Sequence, residues 1–145
     1  MKKNILRKIT ISFLVLLISL TAFACGNKKT SNETVVNPIN VTMDIYYPQK
    51  AKMDNIKNIS FAIEEDSSVL DMIQIYCNIN NIPVSIETTS SYVQGINGVM
   101  EGDKYGDNRV WAFKVNGETV KKGAANQILK NGDRVTWKYI KATNK

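Results

Sequence analysis

The sequence predicts an α+β domain: a single β-grasp-like unit of about five strands, with one helix packed on a mixed sheet. Three observations lead there. Beyond the first 24 residues one stretch, 67–79, carries apolar residues at helical spacing. Alternating apolar segments flank it, two before and three after. Asn-Gly pairs at 116–117 and 131–132 mark tight turns in the last part of the chain, because both residue types tolerate positive φ.

The chain has 145 residues, enough for one domain once a leader is set aside. It opens on a basic segment, with Lys2, Lys3, Arg7 and Lys8, followed by an apolar run from Ile9 to Ala24. That run falls short of the roughly 20 residues that span a bilayer, so residues 1–24 read as a signal peptide. The run ends "TAFAC". This resembles a bacterial lipobox and implies a lipid on Cys25, although Ala22 and Phe23 depart from the preferred residues. Residues 25–38 are polar and poor in large hydrophobes, and read as a lipidated N-terminus and flexible tether. The folded domain is then 39–145. The expected location is the extracellular face of a bacterial cell membrane, held there by the lipid.

Along the domain, Ile39, Val41, Met43 and Ile45 share one face of a first strand that Pro48 ends. Ile59, Phe61 and Ile63 do the same in a second. The helix follows, capped by Asp66 or Ser67, and Ser68 with Asp71 matches a capping box with the shorter acid. Val69, Leu70, Ile73, Tyr76 and Cys77 form its apolar face; Met72, Ile75 and Ile79 widen it, so broad cover is expected. Asn80, Asn81 and Pro83 stop it. After "VSIETTSSYVQGINGV" comes a polar loop, then a strand with Trp111, Phe113 and Val115 on one face. Asn116-Gly117 suits a type I′ hairpin. The last strand puts Val135, Trp137 and Tyr139 on one face and Arg134, Thr136 and Lys138 on the other.

Composition narrows the function. The net charge of +6 falls to +2 for residues 25–145, because the leader holds four of the cations. No concentrated basic face is visible, so nucleic acid is excluded as a partner, and Lys121-Lys122 reads as a solvated edge. The chain contains no histidine, which removes Ser/His/Asp and Cys/His catalysis and the commonest zinc ligand. Glu64-Glu65-Asp66 precedes the helix, where negative charge favours the helix dipole. Glu101, Asp103 and Asp107 share a loop that lacks the calcium-loop spacing and reads as solvated. No phosphate cradle is present. Cys77 falls in the apolar helix and reads as a buried free thiol rather than a disulfide partner of Cys25. The expectation is a protein that is not an enzyme, with no metal and no cofactor.

Four segments in order, "SSVLDMIQIY", "SYVQGINGV", "VWAFKVNGETV" and "ILKNGDRVTWKYI", resemble the transcobalamin-like C-terminal domain family, found in surface lipoproteins of Gram-positive bacteria. The likeness spans roughly residues 60–140. Phe113 stands where that family often has tyrosine, and Asn131 where it often has aspartate. The resemblance implies a β-grasp-like fold and a link to cobalamin carriers, in which such a domain closes over the corrinoid against a larger helical domain. It further implies ligand contact by Ile96, Asn97, Gly98 and Trp111, with Phe113 and Tyr92 beside them. The helical carrier domain has no counterpart in the motifs found, so one face of a corrinoid would be covered and affinity would be modest.

Among the aromatics, Trp137 is assigned to the core and Trp111 to ligand contact, because Trp111 follows the long polar loop; Tyr46, Tyr47, Tyr92 and Tyr105 add amphipathic rings. The leading expectation is a tethered module that captures a corrinoid or other small ligand for a membrane importer. The alternatives are a surface interaction module for a protein or wall glycan, and a structural accessory of an envelope complex.

Overall fold

A computed structural model of the chain describes residues 37–102, 105–106 and 108–142. The leader, Cys25 and most of the tether lie outside these residues, as do Asp103 and Asp107. Residues 34–145 form one compact unit. Its buried apolar residues run from Ile39 to Tyr139 as one cluster, so the unit contains a complete core and is a self-sufficient folding unit.

The elements are β1 (Pro38–Tyr46), β2 (Ile56–Glu64), α1 (Val69–Ile79), β3 (Val84–Glu87), β4 (Tyr92–Ile96), β5 (Val99–Met100), β6 (Arg109–Val115), β7 (Glu118–Thr119) and β8 (Arg134–Lys141), with 3-10 turns at Gln49–Ala51 and Ala124–Asn126. Five strands form a sheet in the order β2-β1-β8-β6-β7, and β3-β4-β5 form a second, smaller sheet. The first and last strands, β1 and β8, are central neighbours and parallel; every other pair in the large sheet is antiparallel. The sheet is thus mixed and the class is α+β, with eight strands where about five were expected. The added strands are β7 and the short segments into which the "VSIETTSSYVQGINGV" stretch divides. Each has two to five residues, too few for alternation to be legible in the sequence.

The inner face of the large sheet is the one that the period-2 pattern marks. Val41, Met43 and Ile45 of β1 and Val135 and Trp137 of β8 are at most 1% exposed. Helix α1 contributes Val69, Leu70, Met72, Ile73 and Cys77 to the same cluster. Its N-cap is Ser68, one residue beyond the expected cap, and the capping box closes with both bonds: Asp71 N donates to Ser68 Oγ (3.1 Å), and Ser68 N donates to Asp71 Oδ2 (2.8 Å). The broad cover expected for this helix is found in part: Met72 is fully buried, while Ile75 is 37% exposed and Ile79 is 70% exposed. Cys77 is a buried free thiol, and burial pushes its pKa up to about 11.

At the start of the small sheet, Glu87 closes the β3–β4 turn by accepting from Ser90 Oγ and from the Thr89 and Ser90 amides. The Ser90 hydroxyl and these amides hold its carboxyl down to about 2. A carboxyl lowered on folding stabilises the turn above its ordinary pKa of 4.5 and loses that contribution as pH falls from 4.5 toward 2. The Glu87 side-chain carboxyl resonance is therefore expected to titrate near 2 in NMR. A midpoint near 4.5 would contradict the turn geometry.

Candidate functional site: a braced hairpin tip

The site that the sequence points to gathers around the β4–β5 hairpin. Ile96 pairs with Val99, and the two residues between them, Asn97 and Gly98, have φ of 54° and 74°. This is the type I′ geometry that Asn-Gly adopts without strain. Asn116-Gly117 between β6 and β7 has the same sign pattern, with φ of 52° and 84°. At 131–132 only Gly132 is at positive φ, and the Asp133 amide donates to Lys130 O, the pattern of a type II turn.

What distinguishes the 97–98 hairpin is how it is held. The Trp111 indole N–H donates to Val99 O at 2.8 Å, and the Tyr139 hydroxyl donates to Met100 O at 2.9 Å. Both carbonyls of the two-residue β5 are thus tied to side chains of the large sheet, from β6 and β8, which pair Trp111 directly opposite Tyr139. The two rings meet edge to face with centroids 5.5 Å apart, and Tyr47 meets Trp111 from the other side at 5.7 Å. At its base, Asn97 N donates to Pro83 O. Gly95 allows the close approach of β5, since a Cβ there would fall 2.3 Å from Met100 Sδ.

The placement of Trp111 revises its expected role. It is 2% exposed and has no open ring face for a ligand; the same alternation that makes it aromatic and inward also buries it. It acts as the brace of the hairpin, and the exposed part is the turn itself, with Gly98 exposed and Asn97 half-buried. Ile96 is fully buried and anchors the turn from below. Phe113, two residues along β6, lies against Trp137 with centroids 5.1 Å apart. Tyr92 opens β4, four residues before Ile96, where burial pushes its pKa up to about 12 and Glu101 adds to the shift. The structure thus brings Ile96, Asn97, Gly98 and Trp111 together and sets Phe113 and Tyr92 apart from the tip.

Two residues that sequence reasoning missed complete the tip. Met53, in the β1–β2 connection, is 37% exposed and lies over Asn97, with Nδ2 4.0 Å from its sulfur. Tyr47 is buried, and its hydroxyl makes no hydrogen bond of normal geometry although the Asn97 side chain lies beside it. Burial pushes Tyr47 up to about 12, so it is a neutral phenol at any physiological pH. Tyr47 lies one residue past β1 and continues its alternating face two residues beyond Ile45, a position that the reading of the first strand stopped short of. Among the described residues no group of three or more Cys, Asp or Glu is placed to hold a metal ion.

A braced hairpin on a mixed α+β sheet defines a class of small domain. The chain belongs to a family described as a domain of unknown function (DUF4430), whose profile matches residues 66–141. The match runs from the helix cap through β8 and so includes the hairpin, its tryptophan brace and its tyrosine brace. No curated protein matches the chain in sequence. Among solved structures, haptocorrin in complex with Cbi superposes with a TM-score of 0.59 at 15% identity over 74% of this chain. This chain covers 26% of haptocorrin, and the likeness is one of fold. A putative metal binding protein from Ruminococcus gnavus matches over 74% of this chain and 100% of its own, at 14% identity and a TM-score of 0.46.

Proposed function

We propose that the chain is an exported, lipid-anchored, non-catalytic binding module that captures a corrinoid at the outer face of the cell membrane, with the Asn97–Gly98 tip as the ligand-facing edge. The observation that carries this reading is the double brace on β5, Trp111 to Val99 O and Tyr139 to Met100 O. It fixes an exposed turn that would otherwise fray, and a pre-ordered contact loses less entropy on binding. The shared fold with haptocorrin, a protein described with Cbi bound, supports the ligand class.

Corrinoids carry amide side chains around an apolar ring. Met53 offers the apolar contact, and the Asn97 side chain, which lies beside the buried Tyr47 hydroxyl, offers the polar one. Trp111, Ile96 and Tyr139 then support the site rather than touch the ligand.

The test is calorimetric titration of residues 34–145 with dicyanocobinamide. Binding near micromolar, about −8 kcal/mol, is expected, weakened about tenfold in Asn97→Ala, or about 1.4 kcal/mol. No heat at millimolar ligand would refute the corrinoid reading.

A further inference from the structure

We infer that a second, separate surface of this domain docks an extended, lysine- or arginine-bearing peptide segment of a partner protein, which adds as a strand to the edge of β3. This surface is independent of the hairpin tip and of the corrinoid reading.

The geometry begins with β3. It has a strand neighbour on one side only, β4, so a row of backbone amides and carbonyls on its other side is available for pairing. Beside it runs a groove of about 800 Å³, lined by Val84 and Ile82 on one wall and by Gln74, Ile75 and Asn78 of α1 on the other. A groove between an edge strand and a helix is the setting in which extended peptides are bound by strand addition: the backbone supplies affinity and alternate side chains enter the groove. At the register shift between β3 and β4 the extra residue, Gln94, lies on β4, so β3 itself runs without a bulge. Of the other edge strands, β5 and β7 have two residues each, and β2 is guarded by the exposed Lys57 and by a bulge that places Asn58 at φ 56°.

The helix wall accounts for a feature that the core leaves unexplained. Ile75 is part of the apolar stripe of α1 and remains 37% exposed in the groove. A strand lying along β3 would cover it. The sign of the partner's charge follows from the end of the groove, where Glu64, Glu65 and Asp66 line it and are all exposed. Among the described residues the one ion pair is Arg134 with Asp44, on β8 and β1, so these three carboxylates have no cation opposite them. A cationic side chain entering that end is attracted; an acidic one is repelled.

The test uses residues 34–145, labelled with ¹⁵N, and blocked hexapeptides that alternate valine with lysine or valine with glutamate. The lysine probe is expected to bind saturably and to shift the amides of Val84, Ser85, Gln74 and Asn78, while leaving Asn97 and Gly98 unmoved. The glutamate probe should bind at least tenfold more weakly. Reversing the exposed acids in Glu64→Lys/Glu65→Lys should invert that preference, with the amide spectrum of the core residues showing that the variant is folded. An N-methylated lysine probe, which lacks the strand's donors, should lose binding. Equal binding of the two probes, shifts outside the groove, or full binding by the N-methylated probe would overturn the proposal. So would sedimentation showing that β3 pairs with a second copy in the absence of probe. Cobinamide binding reads a different set of residues, so either proposal can fail alone.

Discussion

Trp111→Ala is expected to destabilise the domain by about 4 kcal/mol, a large share of the roughly 5–15 kcal/mol that holds a domain of this size folded. The indole is 2% exposed and sits between Tyr47 and Tyr139, so its removal leaves a cavity that two fixed rings cannot fill. The hydrogen bond to Val99 O is lost with it. Comparison with Trp137 separates the two effects. Trp137 is 1% exposed, but its indole N–H is buried without a hydrogen-bond partner. Trp→Phe removes the same volume at both positions, yet only at Trp111 does it also remove a hydrogen bond to a carbonyl. Trp111→Phe should therefore cost about 1 kcal/mol more than Trp137→Phe, measured by urea denaturation. Equal costs would mean that the brace contributes nothing.

Asp44→Ala is expected to cost about 2 kcal/mol at neutral pH. Asp44 is buried on the outer face of the large sheet and does two jobs: it accepts from Asn58 N at 2.8 Å, and it pairs with Arg134. The first holds the β1–β2 bulge, where the register shifts between Met43 and Ile45 and Asn58 takes positive φ. Arg134 in turn donates to Asn58 Oδ1, closing a triangle. The partial exposure of Arg134, 43%, keeps the figure below that of a fully buried pair. Burial alone would raise the Asp44 pKa, but the Asn58 amide, Arg134 and Lys57 outweigh it and the net direction is down from 3.8. The stabilisation is therefore present above 3.8 and lost as pH falls below it, so the gap between wild type and Asp44→Ala should narrow in acid. A gap that is constant with pH would show that the carboxylate charge is not what matters.

Much of this was legible in the residues. The alternation in "INVTMDIY" and "RVTWKYI" names the inner faces of β1 and β8, and "SSVLD" names the helix start within one residue. Pairing was less legible: that β1 lies parallel to β8, with Thr42 opposite Arg134, depends on the whole sheet rather than on either strand. At the site, Asn97 and Gly98 were legible only through the family resemblance, and the tight turn they make was not read from the "VSIETTSSYVQGINGV" stretch. The role of Trp111 was not legible. Trp111 and Trp137 follow the same period-2 pattern, and what separates them is whether a carbonyl from another strand meets the indole. The apolar stripe of α1 misled in the opposite sense, since periodicity shows which residues avoid water but not that this chain alone covers them. Ile75 and Ile79 are the cost of that assumption.

The central claim is that the ligand meets the hairpin tip and that Trp111 supports it from behind. A ¹⁵N–¹H correlation spectrum of residues 34–145, titrated with dicyanocobinamide, tests it most directly. Shifts centred on Asn97, Gly98 and Met53, with the Trp111 indole N–H still protected from exchange at saturation, are the predicted result. A spectrum unchanged at millimolar ligand, or shifts centred on the Glu64–Asp66 groove, would contradict it.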